Sequence, residues 1–471
     1  MFAVVRKLIP PIRPISEYKT IISLMTAMNQ IVAAIDIGTA KIVAVAGKRE
    51  PSGRIKILGY GLAESRGVVR GSVQNIGEVA SAVRQAVDLA EQSSKVQFKN
   101  VFVGIAGQNI RGEENRHSKV IDSTDGIISQ TDVNQLVDQI HNISFAEGEE
   151  ILHVIPQNYS VDNNPVGLQP VGCSGKKLEG SFHVVIGKAS SIKNLRAAVT
   201  KAGLNVIRFV LEPLASAEAV LTADEKEAGV LLADIGGGTT DMALFMDSVL
   251  RSTAVVPFGG NSVTSDIKTG CSILLRQAEL LKIQYGSALS MNGYEHKTVS
   301  VKGITGRNSK EIILSDLANI INARMEEIIG GMAYELDNSH FENQISAGVV
   351  ITGGAALLKN LPQLIKFNMG HDVRLGSPSA VLCDSSDIFS PQYSTAVGLV
   401  IKGFEYLDKL KETRSFNNQI NDDKQNDKSD VSNSDNDNNS STDKQKDSRK
   451  KEGFLKRFVK DIFDEPKDSA M

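Results

Sequence analysis

Two copies of one short pattern constrain this chain more than any other feature in it. In LLADIGGGTTDMALF, Leu231 to Phe245, an apolar run leads into Asp234, three glycines and two threonines follow, and a second apolar run begins after Asp241. That order reads as strand, anion-binding loop, strand. Gly236, Gly237 and Gly238 let backbone N–H groups approach a phosphate with no side chain between them, and Thr239 adds a hydroxyl donor. Asp234 and Asp241 would repel a bare phosphate, so a divalent cation is implied, and Mg2+ takes carboxylates, phosphate oxygens and retained waters. A plain hairpin turn needs one or two glycines, not GGGTTD. The loop also lacks the Lys-Ser/Thr of a P-loop and the GxGxxG-helix order of a dinucleotide fingerprint.

The second copy lies upstream, in IVAAIDIGTAKIVAVAGK, Ile31 to Lys48. It has an apolar strand, Asp36, Gly38, Thr39, then Lys41 at the head of another apolar strand. A single DxGT is weak evidence, but the same design twice in one chain points to a duplicated domain with one phosphate loop from each half.

Three more segments, LEPLASAEAVL (Leu211–Leu221), ITGGAALLKNLP (Ile351–Pro362) and STAVGLVI (Ser394–Ile401), complete a set of five motifs. In this order they resemble the actin-like ATPases, the superfamily of actin, sugar kinases and DnaK-type chaperones. Within it the chain resembles the FtsA family of bacterial cell-division proteins, over most of Ile31 to Phe404. The resemblance implies an α/β, ribonuclease H-like, duplicated two-domain ATPase fold with an α+β insert. It implies ATP and Mg2+ as ligands, with weak hydrolysis. Asp36 and Asp234 would organise the metal and its waters, while Gly38, Thr39, Lys41, Gly236 to Gly238, Thr239 and Asp241 would surround the phosphates. Glu212 would be the base facing the attacking water.

Glu279 and Lys282, at i and i+3 on one helix face, would bind the ribose hydroxyls; an ordinary solvent-facing ion pair is the alternative. Gly353 and Gly354, at a strand-to-helix turn, would leave room for the base; a tight turn without ligand is theirs. For Glu212 the alternative is a capping glutamate before Pro213, and for Arg324 a solvated helix face. As partners the resemblance implies further copies of the chain in a filament, later division proteins on the insert, and the C-terminal peptide of the tubulin-like protein FtsZ, with Arg324 as a contact. The implied location is the cytoplasmic face of the inner membrane at the division septum. An MreB-like or pilus-assembly scaffold is the alternative function. A DnaK-type chaperone would need a substrate-binding β-domain, whereas the folded part is expected to stop near Leu410.

At 471 residues and 41% hydrophobic content the chain is long enough for more than one core. A net charge of −3 gives no basic excess for nucleic acid. Cys173, Cys271 and Cys383 are far apart and lack CxxC spacing, which suggests neither a disulfide framework nor a zinc site and fits a reducing cytoplasm. No apolar run is long enough for a transmembrane helix.

The expected plan is an extension over 1–28, a first subdomain over 29–97, the insert over 98–188, a return to the first subdomain over 189–204, then 205–264 and 265–345 as the two parts of the second half. Residues 346–411 close both halves, 412–449 form a linker, and 450–465 a terminal helix. Within the insert the pattern gives a helix at Thr131–Ile140 and strands at Ile151–Pro156 and Phe182–Gly187, with irregular polar sequence after Ala106. Val256–Ile267 is expected to close the second sheet, Tyr294–Arg307 to form a short strand pair, and Leu357–Phe367 to continue as helix.

From Ser415 to Arg449 Asn, Asp, Ser, Gln and Lys dominate, so ordering entropy is not offset and a tether with a reach of roughly 35 Å is expected. In KKEGFLKRFVKDIFDEP, Phe454, Leu455, Phe458, Val459, Ile462 and Phe463 recur at helical spacing opposite Lys456, Arg457 and Lys460. That pattern describes a helix lying in a membrane interface. Half-burial of six such side chains gives roughly 5–9 kcal/mol gross, and helix formation takes back several, so binding to membrane lipid is reversible.

Overall fold

The computed structural model describes residues 31–143, 145–290, 296–303 and 308–429, with side chains as far as 411. Its first sheet runs in the order Asn205–Leu211, Asn100–Ile105, Ile31–Ile37, Lys41–Arg49, Ile55–Glu64, Val381–Leu382. The second runs Val373–Leu375, Val349–Thr352, Val230–Ile235, Thr240–Met246, Val249–Val256. Each sheet holds an antiparallel meander of three strands, and two parallel strands extend it on the side of the meander's first strand. The duplication inferred from two short loops is therefore a duplication of whole sheets.

Strands covered on both faces read as continuous apolar runs, and the observed burial follows. Val32, Ala34, Ile35, Val101, Phe102, Val103, Val230, Leu232, Val349 and Ile351 are fully buried. The helix Ile76–Ser94, capped by Asn75, covers the first sheet with Val79, Val83, Ala86, Val87 and Ala90. It lies so close that a Cβ on Gly61 would meet the Ala86 carbonyl at 2.1 Å.

Two expected boundaries move. Asn100–Ile105 belongs to the first sheet, not the insert, and Asn205–Leu211 pairs beside it rather than opening the second half. Both pair in parallel within the first sheet, Asn100–Ile105 with Ile31–Ile37 and Asn205–Leu211 with Asn100–Ile105.

The insert is an antiparallel sheet in the order Ile110–Val120, Lys177–Lys188, Glu149–Val161, Asn164–Gly167. One helix, Gln130–His141, packs on it through Val133, Leu136, Val137 and Ile140, and starts at a capping box built by Ser129 and Asp132. The strand Ile110–Val120 was not expected, because IRGEENRHSKV has no apolar alternation. It is the edge strand, and its eleven-residue register against Lys177–Val120 through Gly187–Ile110 comes from backbone pairing alone.

Elsewhere in the second half, only Val256 of the Val256–Ile267 run is strand; Gly260–Cys271 is a helix. The strand pair is Thr298–Val301 with Lys310–Ile313, so its second member falls beyond Arg307. The helix Leu314–Asn338 buries Leu317, Ile321, Met325 and Ile328, while Ile320, whose spacing also points inward, is only half-buried. After Gly354 comes a 3-10 turn, Ala355–Leu357, and the helix starts only at Leu361, beside Pro362.

The closing helix spans Ser394–Ser429 and so runs past Leu410 into the expected linker. No glycine or proline interrupts residues 404–429, and extending a nucleated helix costs far less than starting one. Its first turns pack tightly, since a Cβ on Gly398 would fall 1.8 Å from the Ala215 carbonyl oxygen. Among the described residues no helix is long and apolar enough to cross a membrane. The extension 1–28, the rest of the linker and the amphipathic segment carrying Phe454 to Phe463 lie outside the described residues.

Candidate functional site

The two loops face each other. A Cβ on Gly238 would meet Thr39 Oγ1 at 2.5 Å, and one on Gly237 would meet the Ala40 Cβ at 2.7 Å. Gly38 and Gly236 each turn the chain by donating to the carbonyls of Lys41 (3.0 Å) and Thr239 (2.9 Å). Among the described residues no hydrogen bond takes the amides of Thr39, Gly237 or Gly238. These N–H groups and the glycine-lined gap are what an anion would use.

Behind the loops sit four carboxyl groups whose pKa burial raises, with repulsion from neighbouring carboxylates adding to the shift for three of them. Burial pushes Asp36 up to about 7, with Lys41 opposing and Asp234 and Asp241 adding repulsion. Burial likewise lifts Asp241 to about 7. Asp234 is raised by burial, partly offset by hydroxyls donating to it. Glu212 stands well above the usual range through burial and the charges of Asp36, Asp241 and Asp234. Burial lowers Lys41 to about 8. Like charges held together out of water favour any cation that enters.

The four are held differently. Ser216 Oγ and Thr395 Oγ1 donate to Asp234 Oδ2 at 2.7 and 2.9 Å. Thr239 Oγ1 donates to Asp241 Oδ2 at 2.7 Å, and the Gly107 amide to Asp241 Oδ1 at 3.3 Å. Glu212 is the first residue of the helix Glu212–Val220, and its carboxyl lies over Gly104, where a Cβ would meet Glu212 Oε1 at 2.8 Å. Among the described residues no hydrogen bond reaches the Asp36 carboxylate, and no three acidic, imidazole or thiol groups are placed to hold a metal ion together. Asp36 and Asp234 could therefore serve a metal only in company with water and phosphate oxygens, which suits Mg2+.

Lys41 reaches the Gln392 carbonyl and lies 5.2 Å from the Tyr393 ring centre, so its ammonium is tied to the segment before the closing helix. Lys282 Nζ donates to the Gly260 carbonyl at 2.9 Å and Thr264 Oγ1 at 2.8 Å, and pairs with Glu279 at 2.8 Å. Thr264 also hydrogen-bonds Glu279. The Glu279–Lys282 pair is thus fixed beside Gly260, and the Gly260 amide itself donates to Gly236 of the loop.

Gly353, at φ 91°, packs against the carboxylate of Asp234, where an added Cβ would overlap Oδ1, while a Cβ on Gly354 would meet only the Gln392 Cβ, at 4.0 Å. Gly353 therefore packs beside Asp234, and Gly354 is the less crowded of the two. Arg324 lies apart from the loops. Its guanidinium holds Asp266 through Nε at 2.5 Å and Nη2 at 3.2 Å, pairs with Glu327, and lies 5.6 Å from the Phe258 ring centre.

Sequence reading missed the hydroxyls that fix Asp234. Both were in quoted motifs, Ser216 in LEPLASAEAVL and Thr395 in STAVGLVI, but nothing local says which carboxylate a hydroxyl will reach. Gly107 gave no signal. A hollow of about 670 Å3 lies elsewhere, on the polar open face of the insert sheet, lined by Arg116, Asn158, Ser160, Glu179 and Ser181 among others.

Comparison with known proteins agrees with this layout. The family model described as "Cell division protein FtsA" matches residues 231–398, "SHS2 domain inserted in FTSA" matches 107–186, and "Hsp70 protein" matches 190–251. The insert match begins after Asn100–Ile105, as the sheet pairing requires. The chain is 34% identical to the cell division protein FtsA of Neisseria meningitidis over 80% of its own length and 91% of the relative's. For that of Pseudomonas aeruginosa the figures are 35%, 80% and 90%, and for that of Escherichia coli 33%, 80% and 91%.

Among solved structures, the PilM-PilN type IV pilus biogenesis complex has a chain of the same fold, with a TM-score of 0.59 at 16% identity, covering 79% of this chain and 98% of that one. The fold is the actin-like two-domain α/β fold with an SHS2 insert. With relatives above 30% identity across four-fifths of its length, the chain belongs to the FtsA family of cell division proteins.

Proposed function

We propose that this protein binds ATP with Mg2+ between its two glycine loops, assembles into filaments, and holds FtsZ at the cytoplasmic membrane during ring assembly. The observation that carries the nucleotide reading is the apposition of the loops, where Gly237 and Gly238 admit Ala40 and Thr39 and no larger residue could stand. The unused amides of Thr39, Gly237 and Gly238 would receive phosphate oxygens, with Thr239 adding a hydroxyl. Asp36 and Asp234 would hold the waters of Mg2+, which would supply charge neutralisation for the phosphates. Lys41 would leave Gln392 for a phosphate. Glu279 and Lys282 would meet the ribose, and Gly354 the base. Glu212, whose proton affinity is raised by burial and by the neighbouring carboxylates, would orient the attacking water and accept its proton.

The membrane part of the proposal rests on sequence. Phe454, Leu455, Phe458, Val459, Ile462 and Phe463 would enter the interface while Lys456, Arg457 and Lys460 meet anionic headgroups. One copy binds weakly and a filament binds firmly. Membership of the family supports self-association and further division partners on the insert. Arg324, already paired with Asp266 and Glu327, would bind the FtsZ peptide only by exchanging one of those carboxylates.

Flotation with anionic liposomes, with and without ATP and with the FtsZ C-terminal peptide added, tests the scheme. The intact chain should float and carry the peptide, and removal of Gly453–Phe463 should abolish flotation while leaving ATP binding unchanged. Undiminished flotation after that deletion would refute the anchor. A pilus-type scaffold would bind ATP yet carry no FtsZ peptide.

A further inference from the structure

Asn205–Leu211 is the outer strand of the first sheet, so amides on its free side have no ladder partner and must be satisfied otherwise. At its last residue the partner comes from the insert. The Leu211 N–H donates to His153 Nε2 at 3.1 Å, and His153 sits in the strand Glu149–Val161, 4% exposed. Leu211 is also the cap residue of the helix Glu212–Val220, with no side-chain cap of its own. The next residue is Glu212, whose carboxyl rests over Gly104.

Accepting through Nε2 assigns the proton to Nδ1, and Nδ1 is buried without a hydrogen-bond partner among the described residues. A polar ring placed in a packed junction with one nitrogen unsatisfied is poor design for stability alone. Arg208 and Lys402 face it, and with burial they keep the imidazole neutral, its pKa lowered to about 3. Its acceptor is thus present at any working pH.

The same insert sheet also grips the second half. Gln157 Nε2 donates to the Leu250 carbonyl at 2.6 Å, Arg251 Nη1 donates to the Gln157 carbonyl at 3.0 Å, and His183 Nε2 lies 2.9 Å from Thr253 Oγ1. Gly107, where the chain leaves the first sheet for the insert, donates to Asp241. The insert therefore touches the outer strands of both sheets and one of the site's carboxylates.

We infer that His153 is a positioning residue for the nucleotide site: by holding the Leu211 amide it fixes where Glu212 presents its carboxyl, and it makes the insert part of the hydrolytic apparatus. The inference rests on the reading of Glu212 as the base. It gives the insert a route to the cleft, since a partner that shifts the strand Glu149–Val161 must shift Leu211 with it.

The test compares His153→Gln, whose Oε1 can occupy the Nε2 position, with His153→Asn, whose oxygen reaches only the Nδ1 position, and with apolar His153→Leu. Amide exchange at Leu211 in nucleotide-free protein, ATP affinity, and kcat against KM are measured for each. His153→Asn and His153→Leu should speed Leu211 exchange about tenfold, the loss expected for one buried hydrogen bond. They should lower kcat with KM unchanged, and His153→Gln should restore both. Equal kcat and equal Leu211 protection in the Gln and Asn variants would overturn the role of His153. If His153→Leu does not fold, the Gln and Asn pair decides alone. Retained ATP affinity in Asp234→Asn would instead mark failure of the nucleotide reading, and a wild type that binds ATP without hydrolysing it would remove Glu212 as base and this inference with it.

Discussion

The two hairpins share a plan and differ in how each holds its aspartate. In the second half Asp234 is wired in place by Ser216 and Thr395, and Gly353 leaves no room for it to swing. In the first half Asp36 is as buried as Asp241, yet no described side chain donates to it, and Lys41, its nearest counter-charge, is held by Gln392. One half supplies a fixed carboxylate and a wide glycine loop. The other supplies a carboxylate with no hydrogen-bond donor among the described residues and a narrow loop followed by Lys41, which Gln392 holds. Duplication gave two copies, and contacts with neighbouring helices gave one aspartate two hydroxyl donors and the other none among the described residues.

The largest effect should come from breaking the wired copy. Asp234→Asn should cut Mg2+-dependent ATP affinity about 100-fold, because it removes a charge at the metal and leaves an amide donor facing Ser216 and Thr395. Titration with a fluorescent ATP analogue reads this, and affinity within threefold of wild type would mean the loops do not bind the nucleotide.

Loop width is the next contrast. Gly238→Ala places a methyl 2.5 Å from Thr39 Oγ1, whereas Gly38→Ala meets only the Lys41 carbonyl at 3.0 Å. The first should weaken ATP about tenfold or more and the second by less, since forcing the halves apart moves phosphate ligands on both sides. Reversal of that order would show that the narrow loop is the tighter one.

Smaller is the effect on the nucleotide-free protein. The folded-state pKa of Asp36 and of Asp241 is raised from 3.8 to about 7. Such groups favour the folded state below about pH 4, and that contribution is lost as pH rises through about 7. The melting temperature without nucleotide should therefore fall between about pH 5 and pH 8, and Mg2+ with ATP should recover it. Asp36→Asn should raise the melting temperature at pH 7.5 and flatten this slope, while Asp234→Asn should not raise it. Scanning calorimetry against pH separates the two. Least affected should be Lys282→Gln, with a loss of about threefold in ATP affinity, because Thr264 and Glu279 remain hydrogen-bonded to each other.

The fold was legible wherever one element carried its own signal. Continuous apolar strands and the helix Gln130–His141 were readable because burial on one or both faces dictates periodicity. The strand Ile110–Val120 was not, since a solvated edge strand is specified by its partner. The helix to Ser429 was misread as linker because composition describes what cannot form a core, while helix propagation needs only a packed start.

At the site, sequence alone determined which groups are present: two acidic hairpins with glycine and threonine, and a carboxylate at Glu212-Pro213, are local patterns. Tertiary structure alone decided which of those groups is fixed and which residues hold them. Ser216, Thr395, Gly107 and His153 reach their partners across 18 to 161 positions of sequence in the recorded bonds. A hydrogen bond is set by two atoms brought within 3 Å or so, and no pattern in either segment encodes the distance between segments that folding closes.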